Sequence, residues 1–511
     1  MERSIIIIGA GIAGLSAGCY GQMNGYKTQI FEMHDQPGGL CTSWRRKGYT
    51  FDGCIHWLVG SSPGNSLHRT WQELGAVQGR DFVHHDAFLR IQGSNGQTLI
   101  LYTDPDRLEQ HMKALSPQDS GLIEELCEGV RIFSRFTPPT DKPRELCGPL
   151  DGVKIMVRLL PFMRAFGKYG KTTLQDFAAR FRDPFLRRAL RFALYFDQPY
   201  PLFALLFTLA EMHKRNAGYP VGGSLALAQA IERRYLELGG EIHYGSRVDE
   251  ILVESSGARG RSARGAGADR AVGVRLSDEA QHQADLVISA ADGRTTIFDM
   301  LGGRYTDEGI RERYETWPVY KPVVQVSLGV ARDFSDEPHM VTYLLDEPIV
   351  VAGEAHRHLG VRHYCCDPSM APPGKSVIQV LMGSNHRYWK DAYEERERYQ
   401  AEKQQVALAV IDRMERRFPG FAGAVEAVDM ATPVTTERYT GNWQGSIMAW
   451  APTTETTSRE QMSRTLPGLD SLYMIGQWVE GGGLPPAVTS GREVIQVVCH
   501  EDGRAFETRL T

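Results

Sequence analysis

The sequence predicts an α/β protein that forms either two domains or one elaborated two-lobed unit. Residues 4–32 follow the order strand, glycine-rich turn, helix and strand, which is one βαβ unit. Near the far end, residues 472–475 return to a strand and residues 487–499 form a closing helix. A chain of 511 residues exceeds what one hydrophobic core usually serves, so a second lobe is expected between the two ends.

The middle of the chain reads as a hairpin followed by helices. Residues 82–102 predict two strands joined at Ser94-Asn95-Gly96, where Asn-Gly supplies the positive φ of a tight turn. From 104 to about 215 the apolar residues recur at helical spacing. Pro161 is expected to kink or split a helix there.

The remaining elements restore a strand-rich pattern. Residues 225–238 predict a helix that runs into a strand at 241–244. Residues 255–269 are rich in glycine, serine and arginine, which is typical of an exposed flexible hairpin loop. Further strands are predicted at 284–291, 323–330, 376–382 and 435–450.

Composition indicates a globular protein without a nucleic-acid partner. Hydrophobic residues make up 42% of the chain and charged residues 23%, which excludes a disordered or collagen-like protein. The net charge of −5 gives no whole-chain argument for nucleic-acid binding. The eight cysteines are scattered without a C-x-x-C motif, so neither a disulfide framework nor a metal site is expected.

The sequence favours a cytoplasmic location. The amino terminus lacks the apolar stretch and cleavage site of a signal peptide. The most apolar long stretch, residues 192–210, is interrupted by an aspartate and two prolines, so no transmembrane helix is expected. Scattered thiols fit a reducing compartment.

The first βαβ unit carries a dinucleotide-binding fingerprint. Gly9 allows a tight turn, Gly11 lets the backbone approach a pyrophosphate, and Gly14 permits close packing of helix on strand. The helix N-terminus attracts the negative charge. Glu32 closes the second strand, where its carboxylate accepts hydrogen bonds from ribose hydroxyls and repels a 2′-phosphate. The unit is therefore predicted to be Rossmann-like and to exclude NADP.

Two further glycine-rich segments extend this fingerprint. Gly38-Gly39-Leu40 follows the acidic residue, and Gly476-Gln477 precedes the run Gly481-Gly482-Gly483 and the helix start at Ala487-Val488. Together with the fingerprint, these motifs resemble the flavin-containing amine oxidase superfamily, and within it the branch of carotenoid desaturases, carotenoid isomerases and retinol saturases. Two departures are Leu40, where the family often has arginine, and Gln477, where an acidic residue is common.

The resemblance implies a Rossmann-like FAD-binding domain of the glutathione reductase type and a discontinuous α+β substrate-binding domain. It assigns residues 1–75, 219–300 and 455–511 to the FAD-binding domain. Residues 76–218 and 301–454 are assigned to the substrate-binding domain. The residues implied in FAD binding are Gly9, Gly11, Ile12, Ala13, Gly14, Glu32, Gly38, Gly39, Leu40, Trp57, Val248, Ala291, Gly476, Gln477, Ala487 and Val488.

Three residues are candidate acids or bases. His56 lies in the segment 48–57, which matches the family segment that passes the isoalloxazine, and imidazole transfers protons near neutral pH. Asp52 and Glu480 are the other candidates. For each, a purely structural role is the alternative, and the sequence leaves the choice open.

Lys321 and the adjacent pair Cys365-Cys366 are two further candidates for a chemical role. Lys321 is compared with the amine-oxidase lysine that holds a water at flavin N5, the alternative being an exposed lysine. Adjacent cysteines form a strained ring when oxidised, so a redox pair is not expected.

The helical segment 105–215 is a candidate membrane-associating surface. Residues 151–197 hold ten lysines and arginines against four aspartates, interleaved with aromatic residues. This pattern fits an interfacial surface resting on anionic lipid, and it fits an ordinary solvated helix face equally.

The predicted function is FAD-dependent oxidoreduction of a carbon–carbon bond in an elongated apolar polyene or isoprenoid-like substrate, by desaturation, saturation or isomerisation. Flavin amine oxidation and redox-neutral isomerisation remain alternatives. No second G-x-G-x-x-G follows a strand, so the electron donor or acceptor stays open.

Overall fold

The computed structural model describes residues 3–138, 142–195, 198–255, 261–262, 265–266, 268–456 and 461–510. Within these ranges, the first lobe is organised by a parallel sheet, the second by a mixed sheet and a layer of helices. The parallel sheet has five strands, in the spatial order Glu241–His243, Lys27–Phe31, Ser4–Ile8, Leu286–Ser289 and Leu472–Met474.

The parallel sheet is buried on both faces, as parallel sheets covered by other layers are. Ile5 and Ile7 belong to one apolar cluster with the helices Ile12–Met23, Gly223–Glu237 and Leu484–Glu501. Ile6 and Ile8 belong to another cluster on the opposite face. That face is covered by a smaller sheet made of Val248–Glu254, Asp269–Leu276, Gln281–Gln283 and Leu469–Asp470.

The mixed sheet is antiparallel except at one junction, where Met340–Val351 pairs parallel with Ala87–Gln92. Across the described residues, its spatial order is Val425–Ala431, Val323–Val330, Ser376–Gly383, Glu354–His363, Met340–Val351, Ala87–Gln92 and Thr98–Tyr102. The helices of this lobe outside the helical layer are Glu308–Thr316, His386–Glu394, Arg396–Arg417, Phe421–Ala424 and Pro433–Thr440.

A helical layer packs on the other edge of this lobe around a cluster rich in phenylalanine, including Phe88, Phe133 and Phe177. Its α-helices are Pro105–Leu115, Ser120–Ser134, Pro149–Leu159, Met163–Tyr169, Leu174–Ala179, Pro184–Leu190 and Leu202–His213. As predicted, Pro161 interrupts a helix, because a 3-10 turn at Leu160–Phe162 separates two α-helices. None of the described helices has the length and apolarity needed to cross a bilayer.

Short elements connect the lobes. The strands Leu58–Val59, Ala217–Pro220 and Phe82–Val83 form one small sheet, which bridges the predicted domain limits near residues 75 and 218. The domain limits themselves therefore stay a prediction. The other short elements are Ser43–Arg46, Tyr49–Asp52, Arg261–Ser262, Gly265–Ala266, Ser66–Glu73, Pro117–Asp119, Arg144–Leu146, Thr295–Met300, Trp443–Gly445 and Gln477–Glu480.

The α/β fold class is confirmed, and one predicted element is wrong. The segment 435–450 was expected to be sheet, but it contains the end of the helix Pro433–Thr440 and a 3-10 turn. The predicted loop at 255–269 is only partly described: Arg261–Ser262 pairs with Gly265–Ala266, while residues 256–260, 263–264 and 267 lie outside the described residues.

Candidate cofactor and active site

A cavity of about 560 Å³ opens at the carboxyl edge of the parallel sheet. Residues within two positions of the ends of its strands line the cavity, among them Gly9, Glu32, Ala291 and Gly476. This edge is where open α/β sheets bind their ligands. The volume lies in the range of small-molecule and cofactor sites.

The turn after the first strand exposes a helix N-terminus to the cavity. Gly9 has φ +97°, a conformation that favours glycine. A Cβ on Gly14 would lie 2.0 Å from the Gly9 carbonyl oxygen, so only glycine lets the helix approach the strand this closely. At Gly11 no atom lies within 4 Å of the position that a Cβ would take. That open space lies over the start of the helix Ile12–Met23, where the backbone N–H groups attract an anion.

Glu32 is held in place by the backbone on both sides. Its Oε2 accepts a hydrogen bond from the Ala10 N–H at 2.7 Å, and its Oε1 accepts one from the His34 N–H at 2.8 Å. Burial raises the pKa of the Glu32 carboxyl, while these backbone donors oppose that rise. The carboxylate lines the cavity with its orientation fixed, as recognition of a ribose requires.

The carboxyl-terminal helix Leu484–Glu501 brings a second N-terminus to the same cavity. It crosses the first helix so closely that a Cβ on Gly491 would lie 2.5 Å from the Ala13 carbonyl oxygen. The Ser16 hydroxyl donates to the Val488 carbonyl at 2.7 Å, and the Gly476 N–H donates to the Ser490 hydroxyl at 3.0 Å. The two ends of the chain therefore build one site.

The structure adds cavity residues that the sequence did not indicate. The segment 437–442, at the end of the helix Pro433–Thr440, lines the cavity, and the Gln477 amide donates to Asn442 Oδ1 at 3.1 Å. Asp292 and Cys54 also line it. A signal for Asp292 existed, since it directly follows the predicted Ala291, just beyond the strand Leu286–Ser289.

Three predicted cofactor residues do not line the cavity. Gly14 lies behind the cavity lining, where it allows the helix Ile12–Met23 to pack closely on the first strand. Val488 is fully buried in the crossing of the two helices. Trp57 packs instead against Phe88, with ring centroids 5.4 Å apart. The predicted residues that do line it are Gly9, Gly11, Ile12, Ala13, Glu32, Gly38, Gly39, Leu40, Val248, Ala291, Gly476, Gln477 and Ala487.

Asp52 has a structural environment. Its Oδ1 accepts from the Cys54 N–H at 2.9 Å and the Ser224 hydroxyl at 2.6 Å, and its Oδ2 accepts from the Ser224 N–H at 2.6 Å. Burial raises the pKa of the Asp52 carboxyl, while Ser224 and the backbone donors lower it. The side chain anchors the segment 52–55 to the start of the helix Gly223–Glu237, and it lies outside the cavity lining.

Glu480 also has a structural environment. Its carboxylate pairs with Arg464 at 2.7 Å, and Arg464 binds Glu145 at 2.8 Å and Glu493 as well. Glu480 does not line the cavity. The geometry therefore does not support Glu480 as a catalytic acid or base.

His56 lies two residues beyond the cavity-lining Cys54. Burial, together with the positive charge of Arg362, holds the pKa of His56 well below its ordinary value, so the imidazole is neutral near pH 7. Its ring centroid lies 5.4 Å from that of Tyr195. A neutral imidazole can donate and accept hydrogen bonds there, but it carries no extra proton to give to a substrate.

Lys321 does not reach the cavity. Its ammonium group pairs with the Glu354 carboxylate at 2.5 Å, and its side chain is 39% exposed. All eight cysteines, including Cys365 and Cys366, are free thiols.

The cavity fits a pyrophosphate-linked dinucleotide. Two helix N-termini, a ribose-orienting carboxylate and an open cradle over Gly11 are the features that a pyrophosphate-linked dinucleotide needs. Neither helix carries an acidic residue in its first turn that would oppose the anion.

Comparison with known proteins defines the class. Residues 12–499 match the family model of flavin-containing amine oxidoreductases. The chain therefore belongs to this family, and it is a flavin-dependent oxidoreductase.

Individual relatives narrow the branch. The chain is 24% identical to a neurosporene-forming phytoene desaturase of Rhodobacter capsulatus, covering 96% of this chain and 93% of the relative. It is 22% identical to the chloroplastic prolycopene isomerase of Daucus carota, covering 93% and 76%. The fold matches an oxidoreductase of Methanosarcina mazei, with 18% identity, coverage of 96% and 100%, and a TM-score of 0.58. The predicted relationship to carotenoid desaturases and isomerases is confirmed.

Proposed function

We propose that this chain is an FAD-dependent oxidoreductase acting on a carbon–carbon bond of an elongated, apolar polyene. Bound FAD supplies a group that exchanges a hydride with carbon. FAD rather than a mononucleotide is supported by Gly9, Gly11 and Glu32, which match the pyrophosphate and ribose of a dinucleotide.

The chain's own residues bind, orient and shield the reacting groups. The N-terminus of Ile12–Met23 binds the pyrophosphate, and the N-terminus of Leu484–Glu501 stabilises negative charge on the isoalloxazine. The small side chain of Ala487 leaves the space at that terminus open.

The observation that carries the polyene proposal is the course of the segment 54–57. Cys54 lines the cofactor cavity, and Trp57, three residues later, packs against the phenylalanine-rich cluster of the second lobe. The Trp57 and Tyr195 rings are stacked at 6.4 Å, and both contact Phe88 edge-on. This wall of flat apolar rings leads away from the cofactor, and it suits a conjugated chain.

Amine oxidation is disfavoured by Lys321. The predicted counterpart of the amine-oxidase lysine is neutralised by Glu354 outside the cavity lining. No residue of the described part of the chain takes its place in that lining as a lysine.

Anaerobic mixing tests the proposal. The FAD-loaded protein is mixed with phytoene, with lycopene and with putrescine, and the visible flavin absorbance is followed while the polyene is analysed by chromatography. We expect phytoene to bleach the flavin and putrescine to leave it oxidised. Isomerisation of a polyene with no flavin redox change would assign the redox-neutral alternative, and bleaching by putrescine alone would refute the proposal.

We also propose that the helix Pro149–Leu159 and the residues following it dock on anionic lipid. None of the residues in this helix is buried, although it carries a continuous apolar stripe. The stripe and its exposed fractions are Leu150 77%, Val153 61%, Met156 56%, Val157 65%, Leu160 65% and Met163 51%. Lys154, Arg158 and Arg164 are exposed beside it, and no described carboxylate lies within 4.0 Å of them. Apolar side chains flanked by unpaired cations match an anionic lipid surface.

Vesicle sedimentation tests this docking. We expect the protein to sediment at low salt with vesicles of phosphatidylglycerol and phosphatidylcholine, and more weakly with phosphatidylcholine alone. The double variant Val157→Glu/Leu160→Glu should abolish sedimentation. Leu408→Glu, at a 55%-exposed leucine on another helix, is the matched control and should change nothing. Equal sedimentation of the native chain with both vesicle types refutes the proposal.

A further inference from the structure

Arg362 is a buried cation without a counter-ion. It lies on the strand Glu354–His363 and is 5% exposed. Its guanidinium donates to the carbonyl oxygens of Ile55 at 3.4 Å and His56 at 3.3 Å, and to the Tyr364 hydroxyl at 3.3 Å. These bonds are long and go to neutral acceptors. No carboxylate of the described residues lies within 4.0 Å of it, although a buried charge is normally paired.

The carboxylate whose charge reaches Arg362 is already engaged. Asp52 is among the groups that favour the charged form of the guanidinium. Both of its oxygens, however, accept hydrogen bonds from Ser224, and Oδ1 also accepts from the backbone. Asp52 is therefore anchored to Ser224 and lies beyond ion-pair distance of the guanidinium.

Three histidines lie close enough to Arg362 to be affected by its charge. Burial, together with the charge of Arg362, lowers the pKa of His56, His85 and His339. The His85 and His339 rings are stacked with centroids 3.5 Å apart. All three side chains keep partial accessible surface, so a ligand beside them could contact the imidazoles. Among the described residues, the site therefore has one positive charge, three imidazoles and no carboxylate within ion-pair distance of the guanidinium.

The position of this site relates it to the substrate. Arg362 contacts the carbonyls of residues 55 and 56, midway between Cys54 at the cofactor cavity and Trp57 at the aromatic wall. We propose, on the basis of the proposed function, that Arg362 binds a carboxylate carried at one end of the polyene substrate. A single planar guanidinium among neutral rings matches a monoanion with two oxygens, whereas a diphosphate would need more positive charge.

Calorimetric titration tests the proposal without turnover. The FAD-loaded protein is titrated with β-apo-8′-carotenoic acid and with its methyl ester, which differ only in the charge. We expect the acid to bind roughly 10- to 100-fold more tightly, the factor typical of a hydrogen bond to a charged group. Geranylgeranyl diphosphate is expected to bind more weakly than the acid. Equal affinities for acid and ester, or tighter binding of the diphosphate, overturn the proposal.

Variants assign the preference to one side chain. Arg362→Gln should remove the difference between acid and ester while leaving ester binding unchanged, and Arg362→Lys should retain part of it. Arg357→Gln, at an exposed arginine of the same strand, is the matched control. If Arg362→Gln weakens acid and ester equally, its role is structural. These binding outcomes are independent of flavin bleaching by neutral polyenes, so either proposal can fail alone.

Discussion

At the scale of single residues, Asp292 in the lining of the cofactor cavity makes stability depend on pH. Burial raises the pKa of its carboxyl from an ordinary value of 3.8 to about 6, although the Trp443 and Thr295 N–H groups donate to it at 2.9 and 2.8 Å. The folded state therefore holds the Asp292 proton more tightly than the unfolded state. The stabilisation from that proton is complete below about pH 4 and is lost as the pH rises through 6.

The variant Asp292→Asn should be insensitive to this titration. Relative to the variant, the free energy of unfolding of the native chain should fall by about 2 kcal/mol between pH 4 and pH 7. Urea denaturation of the FAD-loaded proteins at several pH values measures the difference. Asp278→Asn, at an exposed turn, is the control that should keep the native pH dependence. A constant difference between Asp292→Asn and the native chain would contradict the prediction.

Residue roles were predictable where the local chain imposes them. Gly9, Gly11 and Glu32 belong to one βαβ unit, so their spacing already fixes their geometry. Asn442 reaches the cavity only through packing of the second lobe, which no spacing shows. The acid–base candidacy of Glu480 rested on its neighbours in sequence, and the distant Arg464 and Glu145 define its actual environment.

At the scale of elements, the crossing of the first and last helices depends on Gly491. A Cβ there would lie 2.5 Å from the Ala13 carbonyl oxygen and 2.6 Å from the Ala17 nitrogen, and backbone atoms cannot move aside cheaply. Gly491→Ala should lower the free energy of unfolding by about 3 kcal/mol and reduce FAD retention, because both helix N-termini shift.

Gly121→Ala is the matched control for this prediction. Gly121 is also helical, but no atom lies within 4 Å of its Cβ position, so alanine there should be neutral or stabilising by up to about 1 kcal/mol. Thermal unfolding and the flavin content of the purified proteins report both effects. A Gly491→Ala protein as stable as the control would refute the close-crossing argument.

The helix at Pro433–Thr440 shows why one element was predicted wrongly. Val434, Thr435 and Thr436 are β-branched and favour a strand locally. The Thr432 hydroxyl accepts from the Thr435 N–H at 3.3 Å, and the Thr432 N–H donates to the Thr435 hydroxyl at 3.1 Å. This reciprocal cap, with Pro433 at the first helical position, starts a helix. This capping pattern is visible in the sequence, and in the fold it outweighs the β propensity of Val434, Thr435 and Thr436.

At the scale of the whole molecule, Arg464 ties the helical layer to the cofactor lobe. It is 2% exposed and binds Glu480 and Glu493 of the cofactor lobe together with Glu145. Glu145 is on the turn Arg144–Leu146, which lies along the chain between two helices of the helical layer. Arg464→Met leaves three carboxylates without their shared cation. We expect a loss of about 3–5 kcal/mol in the free energy of unfolding and faster proteolysis near Glu145.

Arg413→Met is the control for the Arg464 prediction. Arg413 pairs with Glu347, whose side chain is 75% exposed, and such pairs contribute at most about 1 kcal/mol. Urea denaturation and limited proteolysis with identification of the cleavage sites compare the two variants. If Arg464→Met resembles Arg413→Met in both measurements, the tie between the lobes is unimportant.

The fold class was predictable from the sequence, but the pairing of distant strands was not. The α/β class followed from the two ends of the chain, whose strands are local and strongly apolar. The parallel junction between Met340–Val351 and Ala87–Gln92 joins segments about 250 residues apart, and nothing in either segment identifies the other. Long-range pairing of this kind is determined by the tertiary packing alone.

The sheet order has a consequence for synthesis on the ribosome. Ile7 pairs with Ile30 at once, but its other neighbour, Ile288, emerges only after roughly 260 further residues. At typical elongation rates this delay is on the order of tens of seconds, during which an apolar strand edge stays unpaired. In this interval the unpaired edge of Ser4–Ile8 is an aggregation hazard, and the flavin site stays incomplete until the helix Leu484–Glu501 has also emerged.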